Sequence, residues 1–305
     1  MKFSVFQLSR IGGRENNEDR MGYCCTPAAG IFFLMDGMGG HPQGEVAAEL
    51  ALKVIAEMFQ EKAQPEIQDV ALFLASAVMA AHRTILRYAT ERNMPDSPRT
   101  TIVAAVVQAG AVTWIHCGDS RLYVVRQGEL LLRTRDHTFA EQREAAAPGL
   151  TKSKRLNRNL LFTCLGSPER PMFEISGPLA LRQGDRLMLC SDGLWASLSD
   201  ADITSYLSQK PVSQAVPDLV ESALRKAGDS SDNVTAIALE WEAPDDFETT
   251  APGGISTEAM RDSAFASTAF GDQSGVEPEP LDDTAIERAI AEINETIRRT
   301  AAKKA

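Results

Sequence analysis

The hydrophobic and polar positions in the first hundred residues follow two different periods. Residues 3–8 and 31–35 are short apolar runs, which are typical of strands. In residues 44–60 the apolar side chains recur at every fourth position, and residues 69–91 carry a broader apolar stripe. Both spacings place the apolar side chains on one face of a helix, so the pattern predicts two helices after the first strands.

The pattern changes after residue 100, where short β-rich runs replace the helical stripes. Turn signals such as Gln127-Gly128 separate four runs, at 101–108, 111–117, 122–125 and 129–133. Closely spaced turns predict hairpins and therefore an antiparallel meander. Further strand and helix patterns follow, with strands at 186–190 and 234–241 and helices at 201–207 and 217–226. The sequence therefore predicts an α+β fold of antiparallel sheets and helices.

The charge of the chain is unevenly distributed. Acidic residues number 42 and basic residues 31, which gives a net charge of −11. Residues 243–305 contain 13 of the acids and 6 of the bases, so this short segment carries −7 of the net charge. We therefore predict a near-neutral globular domain over residues 1–242, followed by an acidic appendage.

The appendage divides into two parts. Residues 243–280 contain 8 acids and 1 base among many small and polar residues, which is typical of a disordered linker. In residues 281–305, isoleucines recur at helical spacing between an acidic start and a basic end, which predicts an amphipathic helix. Because it is short for a coiled coil, we expect 281–303 to dock on the body, a second copy or a partner. The alternative is a frayed tail.

The composition excludes several classes of protein. An acidic chain is a poor sequence-independent binder of nucleic acid. No stretch approaches a run of about 18 apolar residues, and the first residues lack the apolar core of a secretory signal. Five cysteines without a C-x-x-C motif favour reduced core thiols, with a Cys24-Cys25 redox pair as the alternative. We therefore predict a cytoplasmic protein with no nucleic-acid or membrane partner.

Several carboxylates stand where apolar runs begin or end. The set comprises Glu18, Asp19, Asp36, Asp119, Asp192 and Asp232. A single Asp-Gly pair is usually a turn, but several carboxylates at one sheet edge repel each other unless cations neutralise them. All-oxygen ligands suit Mg²⁺ or Mn²⁺, and a carboxylate that bridges two such ions builds a site that activates water for attack on phosphorus.

The order of these motifs resembles that of one enzyme family. They are similar to the motifs of the metal-dependent Ser/Thr protein phosphatases of the PPM (type 2C) family, in its bacterial branch. The matching stretches are 12–20, 35–41, 100–101, 116–121, 136–137, 190–194 and 231–235. The resemblance covers roughly residues 3–241.

The resemblance implies a fold and an activity. The fold is a four-layer α-β-β-α sandwich, in which helices flank two packed antiparallel sheets and the metals lie at one end. The activity is hydrolysis of phosphoserine and phosphothreonine in proteins by direct attack of a metal-bound water, which reverses a Ser/Thr kinase. The implied cofactors are two Mn²⁺ or Mg²⁺ ions and a weaker third. The implied partners are phosphorylated proteins and a cognate Ser/Thr kinase.

The resemblance also implies a role for each metal ligand. Asp36 would bridge the two core ions, and Gly37 would offer its carbonyl oxygen. Asp192 and Asp232 would hold the first ion. Asp119, together with Asp192, would hold the weaker third ion.

Five other residues would act around the ions. Glu18 and Asp19 would act through bound waters, and Asn233 would support the ligands. Arg14 would clamp the phosphate, because a guanidinium fork matches two phosphate oxygens. His41 would protonate the leaving oxygen, because histidine titrates near neutral pH. From the residues alone, a surface arginine in a loop is the preferred interpretation of Arg14. The alternative for His41 is a loop histidine with no role.

Two features depart from the family pattern or vary within it. Arg99 stands where glycine is usual, and it either alters substrate choice from beside the cleft or is a plain surface residue. The polar stretch 139–160 carries Lys152, Lys154 and Arg155 with a further base nearby. This stretch corresponds to a variable flap, which either attracts acidic phosphopeptides or is a solvated loop.

Two other functions compete with phosphatase activity. A pseudophosphatase would bind phosphopeptides and act through its tail, but Arg14, Asp36, Asp192 and Asp232 form a complete set for catalysis. A metal-dependent nuclease would use the same ions, but it needs a basic cleft and this chain is acidic.

Overall fold

Two antiparallel sheets form the centre of the protein. The computed structural model describes residues 1–146, 160–243, 255–256 and 264–267. The strands are β1 (Lys2–Arg10), β2 (Arg20–Cys25), β3 (Ala29–Met35), β4 (Ile102–Gln108), β5 (Ala111–Cys117), β6 (Arg121–Arg126), β7 (Glu129–Arg133), β8 (Glu174–Ala180), β9 (Arg186–Cys190), β10 (Val234–Ala243), β11 (Ile255–Ser256) and β12 (Ala264–Ser267). The helices are α1 (Gly44–Lys62), α2 (Val70–Glu91), α3 (Phe139–Ala146), α4 (Asp192–Trp195), α5 (Asp200–Gln209) and α6 (Val212–Ala227).

Each sheet contains six of the described strands, and all neighbours pair antiparallel. The first sheet has the order β11-β1-β10-β9-β6-β7, and the second has the order β12-β2-β3-β4-β5-β8. The short turns between β4 and β5 and between β6 and β7 confirm two hairpins. The predicted continuous meander is wrong, because the chain passes from one sheet to the other between β5 and β6.

Alternation along the strands divides the core into layers. In β3, Ile31 and Phe33 pack beneath α1 and α2, whereas Phe32 and Leu34 face the other sheet. This follows from the two-residue period of a strand, which sends successive side chains to opposite faces. A third cluster packs α5 and α6 on the outer face of the first sheet, where Tyr123 is fully buried. The predicted α-β-β-α sandwich is confirmed.

Helix α2 is the one helix in the described part of the chain with the length and hydropathy of a membrane span. Its apolar stripe, which includes Phe73, Ala77 and Ile85, is buried in the cluster that covers the second sheet. The apolar character of α2 is therefore used in packing within the domain.

The cysteines behave as core residues. All five are unbridged and buried. Cys24 and Cys25 are neighbours in β2, so their side chains lie in different clusters on opposite faces of the sheet. Burial raises the pKa of Cys25 to about 12. This geometry contradicts the alternative of a redox pair.

Besides β11 and β12, four of the described elements match no predicted run: β2, β8, α3 and the single turn α4. Strand β8 contains Gly177 and Pro178, which ordinarily argue against a strand, but it lies at a sheet edge, where proline is tolerated. Strand β2 follows a turn-rich loop, and α3 lies within the stretch 139–160, which was expected to be an irregular excursion.

The division of the chain at residue 242 stays a prediction. Strands β11 and β12 fall within 243–280, for which the sequence predicts no regular structure. They cover part of two sheet edges, because β11 pairs with the first two residues of β1 and β12 pairs with Gly22–Cys25 of β2. The amphipathic helix predicted at 281–305 and the bases Lys152, Lys154, Arg155 and Arg158 lie outside the described residues.

Candidate active site

The acidic residues named by the sequence converge at one end of the sandwich. Asp36 follows β3, Asp119 follows β5, Asp192 follows β9, and Asp232 precedes β10. All four line a cleft of about 550 Å³, together with Arg14, Glu18, Gly37 and Asn233. The hydrogen-bonded sheets bring together residues that are far apart in the chain, as the strand-end pattern predicted.

The backbone of Asp36 is fixed by the two threonines that precede β4. The Thr101 amide donates to the Asp36 carbonyl at 2.8 Å, and the Thr100 hydroxyl donates to the same oxygen at 2.9 Å. The Asp36 amide in turn donates to the Thr101 hydroxyl oxygen at 3.1 Å. Thr100-Thr101 therefore hold Asp36 at the rim of the sheet.

Asn233 ties the loop between β1 and β2 to the strand that carries Asp232. Its side-chain oxygen accepts the Glu18 amide at 2.8 Å, and its side-chain nitrogen donates to the carbonyls of Ile11 and Asn16 at 2.8 and 3.0 Å. Asn233 therefore holds the backbone of the β1–β2 loop, and its support of the metal ligands stays a prediction.

Two glycines allow the backbones at the site to approach closely. Gly12 has φ +64°, and a Cβ there would lie 2.2 Å from the Asp232 carbonyl oxygen. A Cβ on Gly37 would lie 2.6 Å from the backbone of Gly44 at the start of α1. Any side chain at these positions would displace the loops that carry Asp36 and Asp232.

Crowding and burial make the carboxylates of the cleft costly to ionise. Loss of solvation, and then repulsion from Asp19 and Asp192, raise the pKa of Asp36 well above its usual range. Loss of solvation is also the main cause that raises the pKa of Asp19 to about 7 and that of Asp119 to about 8. The pKa of Asp192 is raised to about 6 by loss of solvation, with repulsion from Asp232 as the next cause.

This environment fits divalent cations. Bound positive charge removes the repulsion that otherwise favours protonation. Glu18 carries a buried oxygen, Oε2, with no hydrogen-bond partner among the described residues. Gly44 leaves the room for that oxygen, because a Cβ there would lie 2.3 Å from it. The ligands offered by the cleft are oxygens, which suit Mg²⁺ and Mn²⁺.

Arg14 lies at the mouth of the cleft. Its Nη2 donates to Asp232 Oδ2 at 2.6 Å, and this hydrogen bond is the main cause that raises the pKa of Arg14. The side chain is 54% exposed, so the guanidinium keeps faces open to a ligand. The structure thus places a permanent cation beside the carboxylates.

His41 lies just outside the cleft-lining residues, although its neighbours Met38 and Gly39 are among them. Its Nδ1 is 2.8 Å from Asp96 Oδ2, and the other Asp96 oxygen accepts from Arg99 Nη2 at 3.1 Å. The Arg99 carbonyl also accepts the Met38 amide at 2.9 Å. Arg99 is therefore part of the loop packing next to the cleft, and Asp96 is a contact that the sequence analysis missed.

A second group of potential metal ligands lies next to Gly118. It comprises His116, His137 and Glu174. The two imidazole rings stack with centroids 4.4 Å apart at 24°. The Gly118 amide donates to His137 Nδ1 at 3.3 Å, and His116 Nε2 contacts the Arg135 carbonyl at 2.8 Å. Because stacked rings direct their in-plane lone pairs nearly parallel, this group supports the turn at Gly118 better than it holds an ion.

Comparisons with known proteins agree with this geometry. The profile of the family described as Protein phosphatase 2C matches residues 7–227. The serine/threonine protein phosphatase PstP of Mycobacterium tuberculosis is 32% identical over 232 residues, which are 74% of this chain and 42% of PstP. This chain therefore matches less than half the length of that relative.

Other relatives are matched over nearly their whole length. The serine/threonine phosphatase stp of Listeria innocua is 26% identical over 240 residues, which are 77% of this chain and 94% of the Listeria protein. The crystal structure of the catalytic domain of PstP in complex with two manganese ions has a TM-score of 0.65 and 30% identity. That match covers 78% of this chain and 98% of the PstP chain.

Proposed function

Because the chain belongs to the protein phosphatase 2C family, we propose that it is a metal-dependent Ser/Thr protein phosphatase. It hydrolyses phosphoserine and phosphothreonine in proteins and so reverses a Ser/Thr kinase. The observation that carries this proposal is the meeting of Asp36, Asp192, Asp232 and Arg14 in one cleft.

The residues of the cleft divide into ligands and supports. Asp36 and the Gly37 carbonyl would hold two core Mn²⁺ or Mg²⁺ ions, and Asp192 and Asp232 would complete the first. Asp119, with Asp192, would hold a weaker third ion. When bound, the ions supply Lewis acidity that activates a water for attack on phosphorus.

Arg14 binds and orients the phosphate. A guanidinium donates two parallel hydrogen bonds to two phosphate oxygens. The half-exposed Arg14 already donates to Asp232, so its remaining donors are available to a phosphoryl group beside the ions.

His41 gives a proton to the leaving serine or threonine oxygen. Nδ1 is held by Asp96, and no other described residue hydrogen-bonds to the ring, so Nε2 is the nitrogen left to transfer a proton. Since His41 lies beside the cleft-lining loop, a bound phosphopeptide brings the leaving oxygen towards it.

The complete ligand set favours catalysis over the alternative of a pseudophosphatase that binds phosphopeptides and acts through its tail. The proposed partners are phosphorylated proteins and their Ser/Thr kinase, and the proposed location is the cytoplasm. Docking or self-association through 281–303 stays a prediction.

The direct test is hydrolysis of a phosphothreonine peptide with Mn²⁺, with Mg²⁺ and with EDTA. We expect metal-dependent activity that falls more than about 100-fold in Asp36→Asn and in Asp192→Asn. Loss of a residue that only supports a ligand lowers metal affinity or activity about 10–100-fold, and loss of a ligand itself should lower activity more. Asp218→Asn, at a surface ion pair with Lys210, is the matched control and should retain activity. Activity that survives both cleft substitutions, or no activity with metal, would refute the proposal.

A further inference from the structure

Trp195 connects the two segments that carry Asp119 and Asp192. Helix α4 is a single turn that begins at Asp192 and ends at Trp195. The indole Nε1–H of Trp195 donates to the backbone carbonyl of Asp119 at 2.9 Å. The Trp195 side chain therefore links the helical turn that begins at Asp192 to the loop that carries Asp119.

The indole ring is itself held in place. The Arg121 guanidinium lies over it, with Cζ 3.6 Å from the ring centroid. Arg121 is fixed by two hydrogen bonds of 2.7 Å to the two oxygens of Asp136, which is buried. A cation stacked on indole and anchored by a carboxylate restricts the rotation of the ring. The donor that reaches Asp119 is therefore pre-oriented.

Asp119 and Asp192 need such a link. Both carboxylates line the same cleft, but Asp119 follows β5 and Asp192 follows β9, so they stand on separate segments from different sheets. Two carboxylates that repel each other on separate loops move apart unless the backbone restrains them. The hydrogen bond from Trp195 opposes this movement because it joins the two loops directly.

We propose that Trp195 is a positioning residue that sets the affinity of the Asp119–Asp192 pair for the weaker, third Mn²⁺ or Mg²⁺ ion. This inference rests on the proposed function, because it concerns an ion of the same site. Trp195 acts through the Asp119 backbone and is not itself a ligand.

The test is a titration of Mn²⁺ followed by electron paramagnetic resonance, which counts free ions without measuring activity. Trp195→Phe keeps an aromatic ring for Arg121 and removes the N–H donor. We expect two tightly bound ions as in the wild type, and a dissociation constant for the third ion raised about tenfold, as for other residues that support ligands. Trp195→His, which restores a ring N–H, should recover part of the affinity.

Two controls define the scale of the effect. Asp119→Asn should lose the third ion, and Trp241→Phe, in the core between the sheets, should leave all ions unchanged. Circular dichroism melting of each variant measures whether it is folded.

The remaining outcomes would contradict the role of Trp195, the proposed function or both. Equal third-ion affinity in wild type and Trp195→Phe would overturn the role of Trp195, as would equal weakening of all three ions. A wild type that binds only two ions would overturn this inference and leave the proposed function intact. A wild type that binds no Mn²⁺ would overturn both.

Discussion

Replacing Asp119 by asparagine should change how the stability of the metal-free protein depends on pH. Asp119 is 5% exposed, and burial followed by repulsion from Asp192 raises its pKa from 3.8 to about 8. Between pKa 3.8 and about 8, the Asp119 carboxyl is ionised in the unfolded chain but keeps its proton in the folded protein. Stability must therefore fall as pH rises through this window. An asparagine has no proton to lose.

The size of the effect follows from the shift. Each pH unit inside the window costs about 1.4 kcal/mol per group. The range from about pH 6 to about pH 8.5 includes about two pH units below the folded pKa of Asp119. The free energy of unfolding of the wild type should therefore fall by about 3 kcal/mol more than that of Asp119→Asn. For a domain of this size that corresponds to about 6–12 °C in Tm.

Thermal unfolding in EDTA, followed by circular dichroism at about pH 6 and about pH 8.5, measures this difference. The histidines with lowered pKa, His82, His116 and His137, add stability as the pH rises past the value of an unfolded histidine. They do so equally in wild type and in Asp119→Asn, so their contribution cancels in the difference between the two proteins. Saturating Mn²⁺ should flatten the wild-type dependence, because bound cations replace the protons. Asp218→Asn, at an exposed ion pair, should behave like the wild type.

Two results would refute the reasoning. One is a metal-free wild type whose Tm rises relative to that of Asp119→Asn over this range. The other is an equal fall in Tm for wild type and Asp119→Asn, which would mean that Asp119 is already ionised in the folded protein at about pH 6.

Three further predictions concern separate contacts. Asp96→Asn removes the carboxylate that holds His41, the candidate general acid. In steady-state assays, kcat for a phosphothreonine peptide should fall about tenfold, whereas kcat for p-nitrophenyl phosphate, whose leaving group needs no proton, should change less than about twofold. Arg126→Ala removes the cation that donates two hydrogen bonds to Asp185, which is 1% exposed and keeps only the Arg182 amide as a further donor. Urea unfolding should show a loss of about 3–5 kcal/mol, and Asp185→Asn in the same chain should restore part of it. Gly12→Ala forces a Cβ against Asp232 at positive φ and should cost about 1–3 kcal/mol and weaken Mn²⁺ binding; unchanged metal affinity would contradict the close packing described for that loop.

The position of the candidate metal ligands could be predicted from the sequence because it depends on where strands end. Asp36 and Asp192 each follow a continuous apolar run, and such a run must be buried in a sheet with its end at an edge. The two-residue alternation within β3 is concealed in the sequence, since both faces are covered and every residue is apolar. The four-layer arrangement therefore came from the family resemblance, and not from the periodicity.

The supporting contacts could not be predicted, because no local pattern marks them. Asp96 lies 55 residues from His41 in a loop without periodicity, and only the fold brings their side chains together. Trp195 is one apolar position in a short helical turn, and its function depends on one ring nitrogen reaching the carbonyl of Asp119, 76 residues away. A sequence pattern marks groups at strand ends more readily than the loop and helix-turn residues that orient them.

Strands β11 and β12 add to the sheets beyond the last motif. The motifs stop near residue 241, yet β11 pairs with the first two residues of β1, and β12 pairs with Gly22–Cys25 of β2. A protein shortened to residue 242 would keep every proposed catalytic residue and expose the backbone amides and carbonyls of these two stretches. Such edges pair readily with one another. Self-association of the shortened protein would then be a result of the truncation, because in the full chain β11 and β12 occupy these edges.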